Sequence, residues 1–161
     1  MDISVRTVGP ESDEWGGVVK LLPRAVVWSE DPNDTGDYHF LAATDETGRF
    51  LGGCVIDIGP MGFGPLAEET IGFLEDIEVI EEHRRRGVGR ALLRSALDLA
   101  WERGARSVRW TVDYGNAAGI ALYSSLGLAF VPEEDPDAEH PEKCYTVVAA
   151  NPAAEDTRGT P

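Results

Sequence analysis

The residues of this chain that point most directly to chemistry are Arg84-Arg85-Arg86-Gly87-Val88-Gly89-Arg90-Ala91. They follow a strand-like run, Ile71 to Val79, and open a helix-like run that ends near Arg103. The first turn of a helix has unpaired N–H donors and the positive end of the macrodipole, so a turn of this kind receives anions, phosphate above all. Gly87 and Gly89 carry no Cβ and let an anion approach the backbone. The three arginines add charge that pairs with phosphate. A Walker loop would need Gly, four residues and then Gly-Lys-Ser/Thr, which is absent. A dinucleotide fingerprint would need a small residue where Leu92 stands. What remains is the pattern Arg-x-x-Gly-x-Gly at Arg84, Gly87 and Gly89.

A second group of interest is Glu75, Asp76 and Glu78 within Leu74 to Val79. Acids in the middle of an inner strand are costly to bury unpaired, so three of them ask for an explanation. Strand alternation places Glu75 with Phe73 and Ile77, and puts Asp76 and Glu78 on the opposite face. Burial beside Phe73 and Ile77 should raise the Glu75 carboxyl towards a useful base. The alternative for each acid is a solvated carboxylate or one with an arginine partner.

The loop pattern resembles the pyrophosphate-binding motif of the GNAT superfamily of acetyl-CoA-dependent N-acyltransferases. Leu74 to Val79 is similar to that family's central strand, whose backbone hydrogen-bonds the pantetheine arm. Asn116 to Phe130 resembles the family's next helix and strand, in which an Asn contacts the arm and a Tyr seven residues on, here Tyr123, lies near the thioester sulfur. The resemblance covers about Ile3 to Val148 and is strongest from 71 to 130. It implies an α/β GNAT fold with a mixed, mostly antiparallel central sheet of about six or seven strands flanked by about four helices. It also implies that acetyl-CoA is bound, and coenzyme A released, by Ile77, Glu78, Val79, Arg84, Arg85, Arg86, Gly87, Val88, Gly89, Arg90, Ala91, Asn116 and Tyr123.

Acetyl transfer to an amine requires a neutral amine. An alkylamine of pKa about 10.4 is mostly protonated at pH 7, a cost of about 4–5 kcal/mol unless the site takes the proton. Glu75 is the favoured base and Asp76 the second. The segment Leu74-Glu75-Asp76 is similar to that of spermidine/spermine N-acetyltransferases, where the matching Glu is the proposed base. By the resemblance, Tyr123 donates a proton to the leaving thiolate; its plainer reading is a core tyrosine with one hydrogen bond. The oxyanion is expected on a backbone N–H near Ile77 to Val79.

The elements that must hold these residues alternate between strand and helix. Ile3, Val5 and Val8 suggest a first strand, and Val18 to Val27 one or two short helices interrupted by Pro23. Tyr38 to Ala43 and Phe50 to Ile58 read as a hairpin around Thr47-Gly48. Gly59 to Pro65 is an irregular loop, Ile71 to Val79 a strand, and Val88 to Arg103 the clearest helix, stopped by Gly104. Val108 to Val112, Leu128 to Val131 and Cys144 to Val148 read as strands, with a helix from Asn116 to Leu126. Pro132 to Glu142 is an acidic, proline-rich loop. The whole reads as one N-acetyltransferase domain over 1–149 and a disordered tail over 150–161.

Composition bounds the partners. The chain has 161 residues and a net charge of −15, which argues against a nucleic-acid binder and suits a cationic substrate. No apolar run reaches the length of a membrane span. Cys54 and Cys144 lack metal-ligand spacing, and reduced thiols in a cytoplasmic protein are the default. His39 and His140 have no partner acids at metal spacing, so no metal is expected. His83 is expected to be a solvated loop histidine.

The acceptor cleft implied by the resemblance is lined by Trp28 to Tyr38, with Trp28 as a wall, Glu30, Asp31, Asp34 and Asp37 as an acidic rim, and Tyr38. That rim should attract a small-molecule amine, polyamine or aminoglycoside. Glu82-His83-Arg84-Arg85, Asp113-Tyr114-Gly115 and Ala121-Leu122-Tyr123 are similar to aminoglycoside 3-N-acetyltransferases, although Glu75 stands where those should carry a tyrosine. Protein N-termini or lysines are an alternative acceptor. An acetyl-CoA sensor without turnover and a nucleotide-binding regulator are the non-catalytic alternatives. Dimers are common in the family, and the Gly59–Pro65 loop or the terminal strand could mediate a homodimer.

Overall fold

The strand Phe50–Pro60 (β3) is buried almost throughout from Leu51 to Ile56, because helices cover both of its faces. The computed structural model describes residues 1–60, 68–132 and 144–156. It contains seven strands in one sheet: Ser4–Val8 (β1), Tyr38–Thr44 (β2), β3, Thr70–Val79 (β4), Ser107–Asp113 (β5), Ala129–Pro132 (β6) and Cys144–Ala150 (β7). Their order is β1-β2-β3-β4-β5-β7-β6. Every neighbouring pair is antiparallel except β4 and β5, which run parallel. The mixed, mostly antiparallel sheet expected from the sequence is the one observed.

Two apolar clusters lie on opposite faces of this sheet. On one face the helix Val88–Glu102 (α3) buries Val88, Leu92, Leu93, Ala96 and Ala100 against Leu41, Cys54, Ile56, Leu74 and Val108. On the other, Trp15–Leu21 (α1) and Pro23–Glu30 (α2) bury Val18, Leu22, Ala25 and Val26 against Val8, Phe40, Ala42 and Val55. Pro23 separates those two helices as the sequence suggests, and it does so by opening the second. A proline at the first helical position loses no intrahelical hydrogen bond, since that N–H would be unpaired anyway. Ala117–Ser125 (α4) and Pro152–Asp156 (α5) complete the helices.

Two sequence expectations are corrected here. The tail read as disordered from 150 contains the end of β7 and a helical turn at Pro152–Asp156, and 157–161 lie outside the described residues. The loops read at Gly59–Pro65 and Pro132–Glu142 fall largely outside the described residues, at 61–67 and 133–143. Gly59 and Pro60 instead extend β3, and Pro132 ends β6.

Candidate active site

The central feature is the way β4 leaves β5. The two strands are in register only at Gly72 with Val108 and Phe73 with Arg109, yet β4 runs on to Val79 and β5 to Asp113. Among the described residues, the edge of β4 from Leu74 to Val79 therefore has no strand beside it on the β5 side. Its N–H and C=O groups on that edge can bond an extended ligand as a strand would. Ile77, Glu78 and Val79, expected to offer their backbone to a ligand, lie along this edge.

At the far end of β4, a 3-10 turn at Glu81–His83 leads into Arg84, Arg85, Arg86 and the start of α3. Gly87 caps that helix with φ 86°, a left-handed conformation that a side chain resists. No side chain caps the α3 N-terminus, so the N–H groups of Val88, Gly89 and Arg90 remain available to an anion, whereas the Ala91 N–H already donates to the Gly87 carbonyl at 3.0 Å. The arginines differ in what holds them. Arg84 is folded back onto the strand: its Nε donates to the Val79 carbonyl at 3.1 Å, and its Nη2 is 3.8 Å from Glu78 Oε2. Arg90 Nη2 donates to Ser125 Oγ at 2.6 Å, linking α3 to α4. Arg85 and Arg86 are exposed. His83, expected in solvent, is only 7% exposed and sits beneath the basic turn, a correction to the sequence reading.

Helix α4 brings up the remaining cofactor-side residues. Asn116 caps α4, its Oδ1 accepting from the Gly119 N–H at 2.9 Å, a role the motif match did not anticipate. Tyr123 is 5% exposed and meets Trp110 edge to face at 5.2 Å between centroids. Burial first, and then the charges of Asp76 and Glu78, push its phenol above the ordinary tyrosine value. A phenol held protonated beside an opening in the sheet can donate a proton.

The three acids of β4 are rearranged by a β-bulge. Val55 of β3 pairs with Asp76 and Ile56 with Leu74, so Glu75 is the extra residue. This overturns the simple alternation expected from the sequence. Ile77 pairs with Cys54 and joins the α3 cluster, while Asp76 and Glu78 pair with Val55 and Gly53 across the α1–α2 face. Glu75 feels Asp57 and Asp34, which belong to that same face, so all three acids gather there instead of dividing. A bulge re-aims side chains in this manner.

Glu75 is the exposed residue of β4, a correction to the burial expected beside Phe73 and Ile77; partial desolvation chiefly, and then the negative charges of Asp57 and Asp34, still raise its carboxyl above the ordinary carboxylate range. Asp76 is raised by burial despite Arg24, and Glu78 by burial and Asp76 despite Arg84.

The acidic rim lies beside Glu75. Tyr38 donates its hydroxyl to Asp34 Oδ2 at 2.8 Å, and burial followed by that contact pushes its phenol well above the ordinary tyrosine value. Asp37 donates its N–H to Asp57 Oδ1 at 2.8 Å. Asp31 accepts from the Asn33 N–H, Glu30 ends α2, and Trp28 is 40% exposed one turn before the rim. Asp57 was not singled out by the sequence, because its place beside Glu75 comes from strand register alone. No group of three metal-ligating side chains occurs among the described residues, and no helix there is long and apolar enough to cross a membrane.

Comparison with known proteins agrees with this geometry. The family model described as "Acetyltransferase (GNAT) family" matches residues 11–128. Streptothricin acetyltransferase of Streptomyces lavendulae is 47% identical over 57 residues, 35% of this chain and 30% of that protein. Mycothiol acetyltransferase of Renibacterium salmoninarum is 31% identical over 56% of this chain and 26% of its own length. The ribosomal protein bS18-alanine N-acetyltransferase of Escherichia coli is 44% identical over 34% of this chain and 36% of its own. The chain thus matches well under half the length of each of these relatives. Among solved structures, Arabidopsis thaliana NAA60 with a bisubstrate analogue has a TM-score of 0.68 at 18% identity, covering 92% of this chain and 98% of that one. A Bacillus subtilis acetyltransferase in complex with CoA has a TM-score of 0.65 at 13% identity, covering 93% and 99%.

Proposed function

This chain belongs to the GNAT acetyltransferase family, and we propose that it acetylates a primary amine on a cationic small molecule, with Glu75 as base and Tyr123 as acid. Acetyl-CoA is its cofactor and supplies the acetyl group as a thioester. The free N–H groups at the start of α3, with Arg85 and Arg86 exposed around them, suit the pyrophosphate. The open edge of β4 suits the extended arm, and its N–H groups near Ile77 to Val79 can receive negative charge developing on the carbonyl oxygen.

One observation carries the mechanistic reading: β4 opens away from β5 with three carboxylates on one of its faces and the Tyr123 phenol on the side of the other. Glu75, raised above an ordinary carboxylate, is a better acceptor for the proton of an ammonium ion. Asp76 is the second candidate for that role, on the same face. Tyr123 can give a proton to the departing sulfur. The acidic rim of Asp31, Asp34 and Asp37, with Trp28 and Tyr38, favours a polycationic acceptor through its charge. A peptide N-terminus is the second reading, favoured by the identity with the bS18-alanine enzyme.

The test is thiol release from acetyl-CoA in the presence of spermidine, a diamine, several aminoglycosides, lysine and an N-terminal peptide. Turnover with the cationic small molecules supports the reading, and turnover with the peptide alone replaces it by the second. Acetyl-CoA binding with no turnover on any amine would point to a sensor.

A further inference from the structure

Asp57 stands at a crossing of the acceptor side. It is the register partner of Tyr38 in β2 and of Phe73 in β4, two residues before the bulged Glu75. Its Oδ1 accepts the Asp37 N–H at 2.8 Å, which ties the end of the acidic loop to the middle of the sheet. The second tie is the Tyr38 hydroxyl on Asp34 Oδ2, also 2.8 Å. A third is the Ile58 N–H, which donates to the Asp37 carbonyl at 3.1 Å, so the loop between α2 and β2 is held at three points, and of the two anchors in β3 one is the Asp57 carboxylate.

That is an uneconomical choice for a fastener. A serine or asparagine could accept the same N–H without adding charge next to two other acids. The charged groups facing Glu75 are Asp57 from β3, Asp34 from the loop and, further along its own strand, Asp76 and Glu78. Arg24 of α2 acts on Asp76, and Arg109 of β5 is paired with Phe73. Tyr38 is neutral there.

We propose that Asp57 is a positioning residue for the transfer: it pins the acidic loop across the acceptor side and sets a negative charge on the face of the sheet that carries Glu75. The proposal rests on the reading of Glu75 as the base. It assigns one side chain two separable tasks, a hydrogen bond that needs only an oxygen and a field that needs the charge.

Asp57→Asn keeps an acceptor oxygen and removes the charge, whereas Asp57→Ala removes both. The first readout is the titration of the Glu75 side-chain carboxyl by carbon-13 NMR in the protein without acceptor, its resonance assigned by its loss in Glu75→Gln. Asp57→Asn should lower that midpoint by about half a pH unit at low ionic strength, and less in high salt. The acid limb of kcat/KM for the best amine should move to lower pH by the same amount, with the amine KM little changed at high pH. Asp57→Ala should add a rise of roughly fivefold in that KM, because the loop loses one of its three ties and the Asp37 N–H its acceptor. Unfolding temperatures of both variants accompany these measurements, and Asp57→Asn serves alone if the alanine variant does not fold. An unmoved Glu75 midpoint in Asp57→Asn, with Glu75→Gln inactive, would overturn the role of Asp57 and leave the base in place. A moved midpoint with an unaltered pH–rate profile in Glu75→Gln would remove the base, and with it any role of Asp57 in the transfer.

Discussion

The two sides of β4 are built in different ways. On the cofactor side, the basic turn, the α3 N-terminus and the end of β4 come from one stretch, Val79 to Ala91, whose parts bond one another: Arg84 to the Val79 carbonyl and Ala91 to the Gly87 carbonyl. On the acceptor side, Glu75 comes from β4, Asp57 from β3, Tyr38 from β2 and Asp34 from a loop, and they meet only because three strands are in register. A contiguous site is specified by local backbone geometry and tolerates little change at single positions. An assembled site is specified by register, and its charges can vary while the strands stay where they are.

The comparison breaks most severely at Gly89. Gly89→Glu should weaken acetyl-CoA binding by more than about 100-fold, or ~2.7 kcal/mol, in calorimetry, because a carboxylate at the first turn of α3 repels the pyrophosphate. A variant that still binds would mean the anion sits elsewhere. Tyr123→Phe should cut kcat by about 100-fold while acetyl-CoA affinity holds; loss of both would reduce the residue to packing against Trp110.

On the acceptor side the effects should be smaller and depend on pH. A base is active when deprotonated, so wild-type kcat/KM should rise with pH through the raised Glu75 midpoint. Glu75→Gln should lose that rise, and the ratio of wild type to variant should grow with pH and then level off. The same variant should melt slightly higher near pH 7. A carboxyl raised in the folded protein opposes folding once ionised, and that opposition fades only as pH falls through the raised midpoint. Screening keeps the gain below about 1 kcal/mol, or roughly 1–3 °C. A lower melting temperature would contradict the unfavourable setting that raises the Glu75 carboxyl. Tyr38→Phe should be the mildest change, a rise of about fivefold in amine KM from one lost hydrogen bond.

The same contrast explains what the sequence reveals. Arg84, Gly87 and Gly89 are readable because a turn before a helix writes its requirements into adjacent residues. Pro23 and the strand runs are readable by the same logic, whereas the mixed sheet, expected with about six or seven strands, came from the family resemblance. The bulge at Glu75 is not, since nothing in Leu74 to Val79 marks which residue will be extra; that depends on how β3 pairs with it. Asp57 and the burial of His83 were missed for the same reason, as both follow from partners distant in sequence or from packing. Asn116 was found by its motif, but its cap on Gly119 is a local bond that a motif match does not disclose.

The short parallel pairing of β4 with β5 has a consequence for motion. Within the sheet, two register pairs and the Arg106 N–H on the Thr70 carbonyl join the block of β1 to β4 to the block of β5 to β7, like a zip closed only at its lower end. Amides along the open stretch of β4 should exchange with solvent faster than those of β3, which are bonded on both sides. A ligand lying in the opening would act as the missing rungs, and its binding would slow exchange in both blocks together.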